Sequence, residues 1–202
     1  MSISYPLSLP ATPSFRSLEI VPDKVAAISE SPLSNNQTIY EHSGERWSLS
    51  ASWPPLTIAQ AKDLNGLLIS LNGAVGTFLC GDPLNATPAG VATGTPLVNG
   101  GSQTGKVISI KGWTPSISGI LKRGDDISIS NRLYKVTKDA NSDGSGIASV
   151  DIWPSIRQPA PANNTAVTVQ AAKGEFRLSS PPSISGTVDK VYLVSIEAIE
   201  VI

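Results

Sequence analysis

Two stretches of the chain come close to a ligand-binding motif, and the first is glycine-rich. Residues 100–106 read GGSQTGK and match the first seven positions of a phosphate-binding P-loop. The eighth position should be Ser or Thr, to hold magnesium, but it is Val107. The residues that follow alternate like a strand, whereas a P-loop opens a helix whose amides support the phosphates. We therefore interpret this stretch as a loop and predict no nucleotide site.

The second stretch resembles the start of a calcium-binding loop. Asp139, Asn141 and Asp143, followed by glycine, have the spacing of its first ligands. The twelfth position should be a bidentate glutamate, but it is Val150, and the flanking segments are predicted strands rather than helices. We predict a hairpin loop in which Asp and Asn side chains bond to their own backbone. Weak cation binding by these three residues is the alternative.

The other reactive residue types lack partners. His42 is the only histidine and Cys80 the only cysteine, so a zinc site would need unusual carboxylate ligands. A serine hydrolase would need a Gly-x-Ser-x-Gly elbow, which the sequence does not contain. Asp125 and Asp126 are adjacent, so on a strand they would point to opposite faces, and we predict that they lie in a turn. The sequence thus predicts no enzyme, no cofactor and no metal site beyond the weak candidates above.

The four tryptophans have two interpretations. Trp47, Trp53, Trp113 and Trp153 lie in separate apolar stretches that alternate with polar residues. Large aromatic side chains at such positions are typical core anchors, and we predict that role. A tryptophan platform that binds a sugar is the alternative, and it would make the protein a carbohydrate-binding β module.

Composition limits the classes of partner. Lys and Arg number 15 against 16 Asp and Glu, which gives a formal net charge of -1 without a basic stripe. We therefore predict no nucleic-acid specificity and no attraction to an anionic membrane. Charged residues make up 15% of the chain, below the roughly 25% of typical soluble domains. A surface so short of charge fits a subunit that buries much of itself against neighbours.

The segment from Arg46 to Pro83 predicts a strand, a helix and a second strand. Trp47, Leu49, Ala51 and Trp53 alternate with serines, which indicates a strand with one buried face. After two prolines, a helix is predicted over residues 57–71, with Thr57 as its N-cap and Asn72-Gly73 as its end. A short apolar strand follows at 76–80, and we expect the helix to lie on a sheet.

The rest of the chain predicts short strands and turns. They are an extended arm or edge strand over 1–15, a strand over 15–30 with a turn at Pro22-Asp23, a hairpin turning at Ser43-Gly44, a long loop or weak hairpin over 85–105, a barrel or meander over 106–157, a strand pair turning at Lys173-Gly174, and a last strand over 188–202 that returns to the first sheet. The predicted fold is mainly β: an antiparallel β-sandwich with one flanking α-helix plus a small β-barrel-like region. We assign 1–83 and 186–202 to the sandwich and 84–185 to the loop and barrel-like domain.

The segment around the helix also carries a family resemblance. An aromatic strand, Pro-Pro-Leu-Thr at 54–57, Ala-Gln-Ala at 59–61, Gly-Thr-Phe-Leu at 76–79 and Gly-Asp-Pro at 81–83 resemble minor tail proteins of long-tailed bacteriophages, the distal tail proteins above all. A second similar block spans Gly119–Arg157. The resemblance implies a hexameric ring in the virion, assembled in the host cytoplasm, that joins the tail tube protein to the tip or hub protein of the baseplate. Tube and terminator subunits are alternatives, and the arm 1–15 and the loop 84–105 are expected to become ordered at contacts between subunits.

Overall fold

The computed structural model describes residues 3–187 and 191–202, and over these residues the protein is mainly β. The strands are β1 (Leu7–Ser8), β2 (Ser17–Glu30), β3 (Gln37–Ser52), β4 (Phe78–Cys80), β5 (Gly94–Val98), β6 (Gly105–Trp113), β7 (Asp126–Ile129), β8 (Arg132–Val136), β9 (Ile147–Ile156), β10 (Val167–Thr168), β11 (Gly174–Leu178), β12 (Ser183–Gly186) and β13 (Tyr192–Glu200). The helix α1 spans Ile58–Ser70, and a single 3-10 turn spans Pro83–Asn85. The predicted mainly β class with one flanking helix and a barrel-like region is confirmed.

The first sheet has seven strands in the order β1-β4-β11-β13-β3-β2, and β12 pairs with β13 beside this path. Neighbouring strands are antiparallel except β1 and β4. Alternate residues of β3 and β13 point to one face and are buried there together with the apolar stripe of α1. On the opposite face β3 carries Ser48, Ser50 and Ser52 and β13 carries Ser195 and Glu197, so this face of the sheet is exposed to solvent.

The helix α1 forms where the local signals predict it. Thr57 accepts from the backbone N–H of Gln60 and donates its own N–H to the Gln60 side chain, which completes a capping box. Leu64 and Leu68 are buried against the first sheet. Asn72 and Gly73 both have positive φ and end the helix in the left-handed conformation that glycine tolerates best.

The second sheet has six strands in the order β10-β7-β8-β9-β6-β5 and curls into a nearly closed barrel. Its two ends meet where Leu97 bridges Ala166 and where the backbone of Val98 exchanges hydrogen bonds with Asn164 and Thr165. Inward-facing residues such as Ile110 fill the barrel interior with a second core.

Two predicted turns in the N-terminal third are wrong, because β2 and β3 are continuous and form one long hairpin. Pro22 lies within β2, which is an edge strand, where proline is tolerated because alternate N–H groups point away from the partner strand. Gly44 lies within β3 opposite a β-bulge at Val25, and a Cβ there would crowd the Val25 side chain. The glycine therefore marks a close approach between strands rather than a turn, and the chain reverses at 31–36 instead.

The predicted strand pair that turns at Lys173-Gly174 is also wrong. Gly174 begins β11, which pairs with β4 and β13 in the first sheet, while β10 pairs with β7 in the second. A Cβ at Gly174 would lie 3.0 Å from the Leu133 side chain, so this glycine allows the two sheets to approach. The division into 1–83 with 186–202 and 84–185 stays a prediction, although β11 and β12 join the first sheet.

Of the two alternatives predicted for 85–105, a long loop or a weak hairpin, the second part of the segment forms a hairpin, since β5 pairs antiparallel with β6. The N-terminal arm contributes the edge strand β1, and the Tyr5 hydroxyl donates to the carbonyl of Ser70 at 2.7 Å. At the other terminus, Val194, Ile196 and Ala198 of β13 are buried and the strand pairs with β3, as predicted. Residues 188–190 of the predicted last strand, and residues 1–2 of the arm, lie outside the described part of the chain.

Candidate interaction surface

The three cation candidates do not converge on one point. Asp143 accepts from the backbone N–H groups of Ser145 and Ile147, and Asn141 accepts from the N–H of Gly119. Asp139 accepts from the Lys122 ammonium at 2.8 Å and from a backbone N–H, and these bonds lower its pKa. Only Asp143 thus bonds to the backbone of its own loop as the hairpin interpretation predicts, whereas Asn141 and Asp139 tie the loop to the 119–123 segment. In the described residues, no three His, Cys, Asp or Glu side chains are grouped as metal ligands.

The other motif residues have structural positions too. Residues 100–104 form a loop that leads into β6 rather than into a helix, and the amide of Gln103 bonds to the backbone of Asn99 and Ser109. Asp125 follows a turn and accepts from the backbone of Ala89 and Gly90, while Asp126 begins β7. Both carboxylates are buried and tie the 85–90 segment to the barrel-like sheet.

The tryptophans form no exposed platform. Trp47, Trp53 and Trp113 are buried, as predicted for core anchors, and Trp153 is half-buried. The rings of Trp47 and Trp153 meet edge to face at 4.4 Å, and the Trp47 indole donates to the carbonyl of Leu133. These contacts lie where the first sheet meets the second, so the pair belongs to a junction inside the molecule.

Charged groups are buried at the same junction. Arg157, the residue after β9, donates to the Glu200 carboxylate of β13 at 2.7 Å, and the side chains are 6% and 1% exposed. The backbone N–H of Trp47 donates to the same carboxylate oxygen. Burial raises the pKa of Glu200 to about 6 although Arg157 opposes the shift, and burial lowers the pKa of Arg157. No sequence signal predicts this pair, since 43 residues separate its members.

A second carboxylate joins the two sheets. Glu45 of β3 accepts from the Lys106 ammonium at 2.8 Å and from the backbone N–H of Ser155, and Lys24 lies 3.9 Å away. Burial alone would raise the pKa of Glu45, but the hydrogen bonds from Lys106 and Ser155 outweigh it and hold the pKa below its ordinary value. Glu45 therefore fastens the base of the β2–β3 hairpin to the barrel-like sheet.

Beyond Glu45 the β2–β3 hairpin projects without cover, and we name residues 25–41 the ribbon. Within the described residues its strands pair only with one another, since β13 accompanies β3 only from Ser48 to Ser52. The cross-strand pair Ile28 and Ile39 is 65% and 59% exposed. Tyr40 is exposed on the other face, and Leu33 at the tip is 97% exposed. Both faces and both edges of this two-stranded structure are open.

Next to the base of the ribbon lies a groove of about 460 Å³, which we name the Trp153 groove. Its apolar wall comes from both sheets, and its rim is basic. The lining residues are Ile20, Pro22, Trp47, Val136 and Trp153, with Arg123, Lys135 and Thr137 at the rim. Lys135 pairs with Asp126 at 2.7 Å, whereas the Arg123 side chain forms no ion pair with any described residue.

The sequence matches no protein-family model and no curated protein. Among the described residues, no helix has the length and apolar character needed to cross a membrane. The most distinctive external features of the described chain are the ribbon and the Trp153 groove.

Proposed function

We propose that this protein is a structural subunit of a bacteriophage tail that forms a ring, hexameric by the resemblance, between the tail tube and the tip or baseplate. The observation that carries the proposal is the ribbon. A two-stranded hairpin is at best marginally stable alone in water, and this one also exposes Ile28, Leu33, Ile39 and Tyr40. Burying such a side chain contributes roughly 1.5–3 kcal/mol when it is complete. The ribbon is thus built to be covered by another protein surface.

A second copy of the chain is the simplest cover. A contact between a projecting ribbon and a different patch of an identical neighbour is heterologous, and it generates a ring when the rotation closes. The low proportion of charged residues favours extensive contacts of this kind. The virion location, the assembly in the host cytoplasm and the tube and tip partners come from the resemblance. The ribbon would serve a tube or terminator subunit equally well. The carbohydrate-binding alternative is less favoured, because three of the four tryptophans are buried and cannot form an exposed platform.

The test is the particle mass in solution by light scattering over a range of concentrations, with negative-stain images of the same samples. We expect closed rings for the natural protein. The Ile28→Thr/Ile39→Thr variant keeps β-branched side chains on the strands but removes apolar contact area, and we expect it to remain a monomer.

Val107→Thr is the matched control, since Val107 is an exposed strand residue outside the ribbon. It should form rings like the natural protein. A monomer at every concentration, also when purified tail tubes are added, would overturn the proposal. Open polymers in place of closed rings would favour a tube subunit over a joining ring.

A further inference from the structure

The tip of the ribbon is an apolar knob with one negative charge beside it. The chain reverses through residues 31–36, where Pro32 and Leu33 are exposed and Asn35 has the positive φ of a tight turn. Glu30 stands at the base of this turn. It accepts from the Gln37 amide, but among the described residues no Lys or Arg lies in ion-pair contact with it. The tip thus presents apolar side chains and an unpaired carboxylate together.

The Trp153 groove has the complementary properties. Its wall contains the half-buried Trp153 together with Ile20 and Pro22, and its rim carries Arg123. An exposed leucine and proline would bury apolar area against the tryptophan ring. A carboxylate at the rim would give Arg123 the partner that the described chain does not provide.

The dimensions place the two surfaces on different copies. Pro22 lines the groove at the base of the hairpin, and Leu33 lies eleven residues further along an extended strand and turn. At about 3.3 Å per residue, the tip lies roughly 35 Å from the groove of its own chain. A compact body of 202 residues is roughly 40 Å across. The tip therefore reaches about one subunit diameter beyond its own groove, far enough to meet the groove of a neighbouring copy.

We propose that the ribbon tip of one copy, Pro32 and Leu33 with Glu30, inserts into the Trp153 groove of the next copy. Leu33 and Pro32 pack on Trp153, and Glu30 pairs with Arg123. The contact joins two different patches, so each copy offers one tip and one groove and the chain of contacts can close on itself. This inference rests on the proposed ring and specifies which surfaces form it.

Disulfide trapping between two variants that each carry one introduced cysteine tests the contact. Leu33→Cys places a thiol on the tip, and Thr137→Cys places one on the exposed rim of the groove. Cys80 does not interfere, because it is buried and burial raises its pKa to about 12. After mild oxidation, we expect a covalent dimer in the mixture of the two variants and none with either variant alone. Leu33→Cys mixed with Lys62→Cys, on the exposed side of α1, is the control for random collision.

A charge exchange gives an independent readout. Glu30→Arg or Arg123→Glu alone places like charges together and should raise the concentration needed for assembly by about tenfold or more. The combined Glu30→Arg/Arg123→Glu variant should restore assembly. Rings that form with neither the specific disulfide nor the charge effect would overturn this contact and leave the ring standing. A specific disulfide without rings would support the contact and overturn the ring, and the absence of both would overturn both.

Discussion

Replacing Arg157 with Met would leave the carboxylate of Glu200 buried without its cation. The two side chains meet at 2.7 Å and are 6% and 1% exposed, so solvent cannot take over the role of the guanidinium. Met has a similar length and no charge, and it adapts to irregular apolar surroundings. The Trp47 N–H would still donate to the carboxyl group. The variant therefore isolates the electrostatic role of Arg157, and Glu200 can respond only by binding a proton.

The expected effect depends on pH, and its sign follows from the pKa of Glu200. Burial raises that pKa from 4.5 to about 6, so the native state binds more protons than the unfolded state in this interval. Stability is then lost as pH rises from about 4.5 to about 6, by about 2 kcal/mol at 1.4 kcal/mol per pKa unit. Without Arg157 the pKa rises further, because the attraction that opposed the burial is gone.

Buried carboxyl groups reach pKa values of about 8–9. In Arg157→Met the loss would therefore continue to higher pH and approach about 5 kcal/mol at pH 8, at the same 1.4 kcal/mol per unit. Relative to the natural protein, we expect a destabilisation of about 3 kcal/mol at pH 8, consistent with the cost of breaking a buried ion pair. At pH 5 Glu200 is protonated in both native proteins. At that pH the only remaining destabilisation is the cost of repacking around the introduced methionine, about 1 kcal/mol or less.

Urea unfolding followed by tryptophan fluorescence at pH 5 and pH 8 measures this difference. Lys138→Met is the matched control, since Lys138 pairs with Asp151 at 3.0 Å on the surface, where ion pairs contribute about 0–1 kcal/mol. The control should show little change at either pH. An equal destabilisation of Arg157→Met at both pH values, or a larger one at pH 5, would refute the reasoning.

Two further predictions concern local backbone features, and the same unfolding assay measures both. Thr57→Ala removes the side-chain acceptor for the Gln60 N–H and should lower the free energy of unfolding by about 1 kcal/mol. Thr57→Ser keeps a hydroxyl acceptor and should retain most of that stability. Gly81→Ala should cost about 2 kcal/mol, because a Cβ would overlap the carbonyl oxygen of Ala172. Gly66→Ala in α1 is the control, because a Cβ there meets nothing within 4 Å. It should raise the free energy of unfolding by about 0.5–1 kcal/mol, since alanine favours a helix more than glycine does. Equal effects of the two glycine substitutions would contradict the packing argument.

Sequence reasoning was right where the cause of a structure is local. The N-cap at Thr57, the apolar stripe and Asn72-Gly73 lie within a few turns of one another, and together they define α1. Alternation likewise predicts the buried face of β3, because strand side chains alternate whatever the partner strand is. The fold class follows from these elements and from the frequent turn residues.

The predictions are wrong where the role of a residue depends on a partner that is distant in the sequence. Pro22 and Gly44 have the chemistry of turns, but one lies on a sheet edge and the other opposite a bulge at Val25. Only the pairing of β2 with β3 decides between these roles. The candidate surface was missed for the same reason. Turns at Pro22-Asp23 and Ser43-Gly44 leave no room for a long hairpin, and the residues of the Trp153 groove come from five separate segments.

The junction between the two sheets also bears on the proposed ring, because it sets the angle between the ribbon and the groove. Glu45 fastens the ribbon base to the second sheet, and Trp47, two residues further along β3, lines the groove. A heterologous ring closes at a fixed number of copies only if this angle is the same in each. Weakening the junction through Arg157→Met should therefore widen the distribution of ring sizes or open the rings at pH 8, and leave closed rings at pH 5. Negative-stain images at the two pH values measure this, and uniform rings at pH 8 under conditions where the variant is measurably destabilised would show that the junction does not control closure.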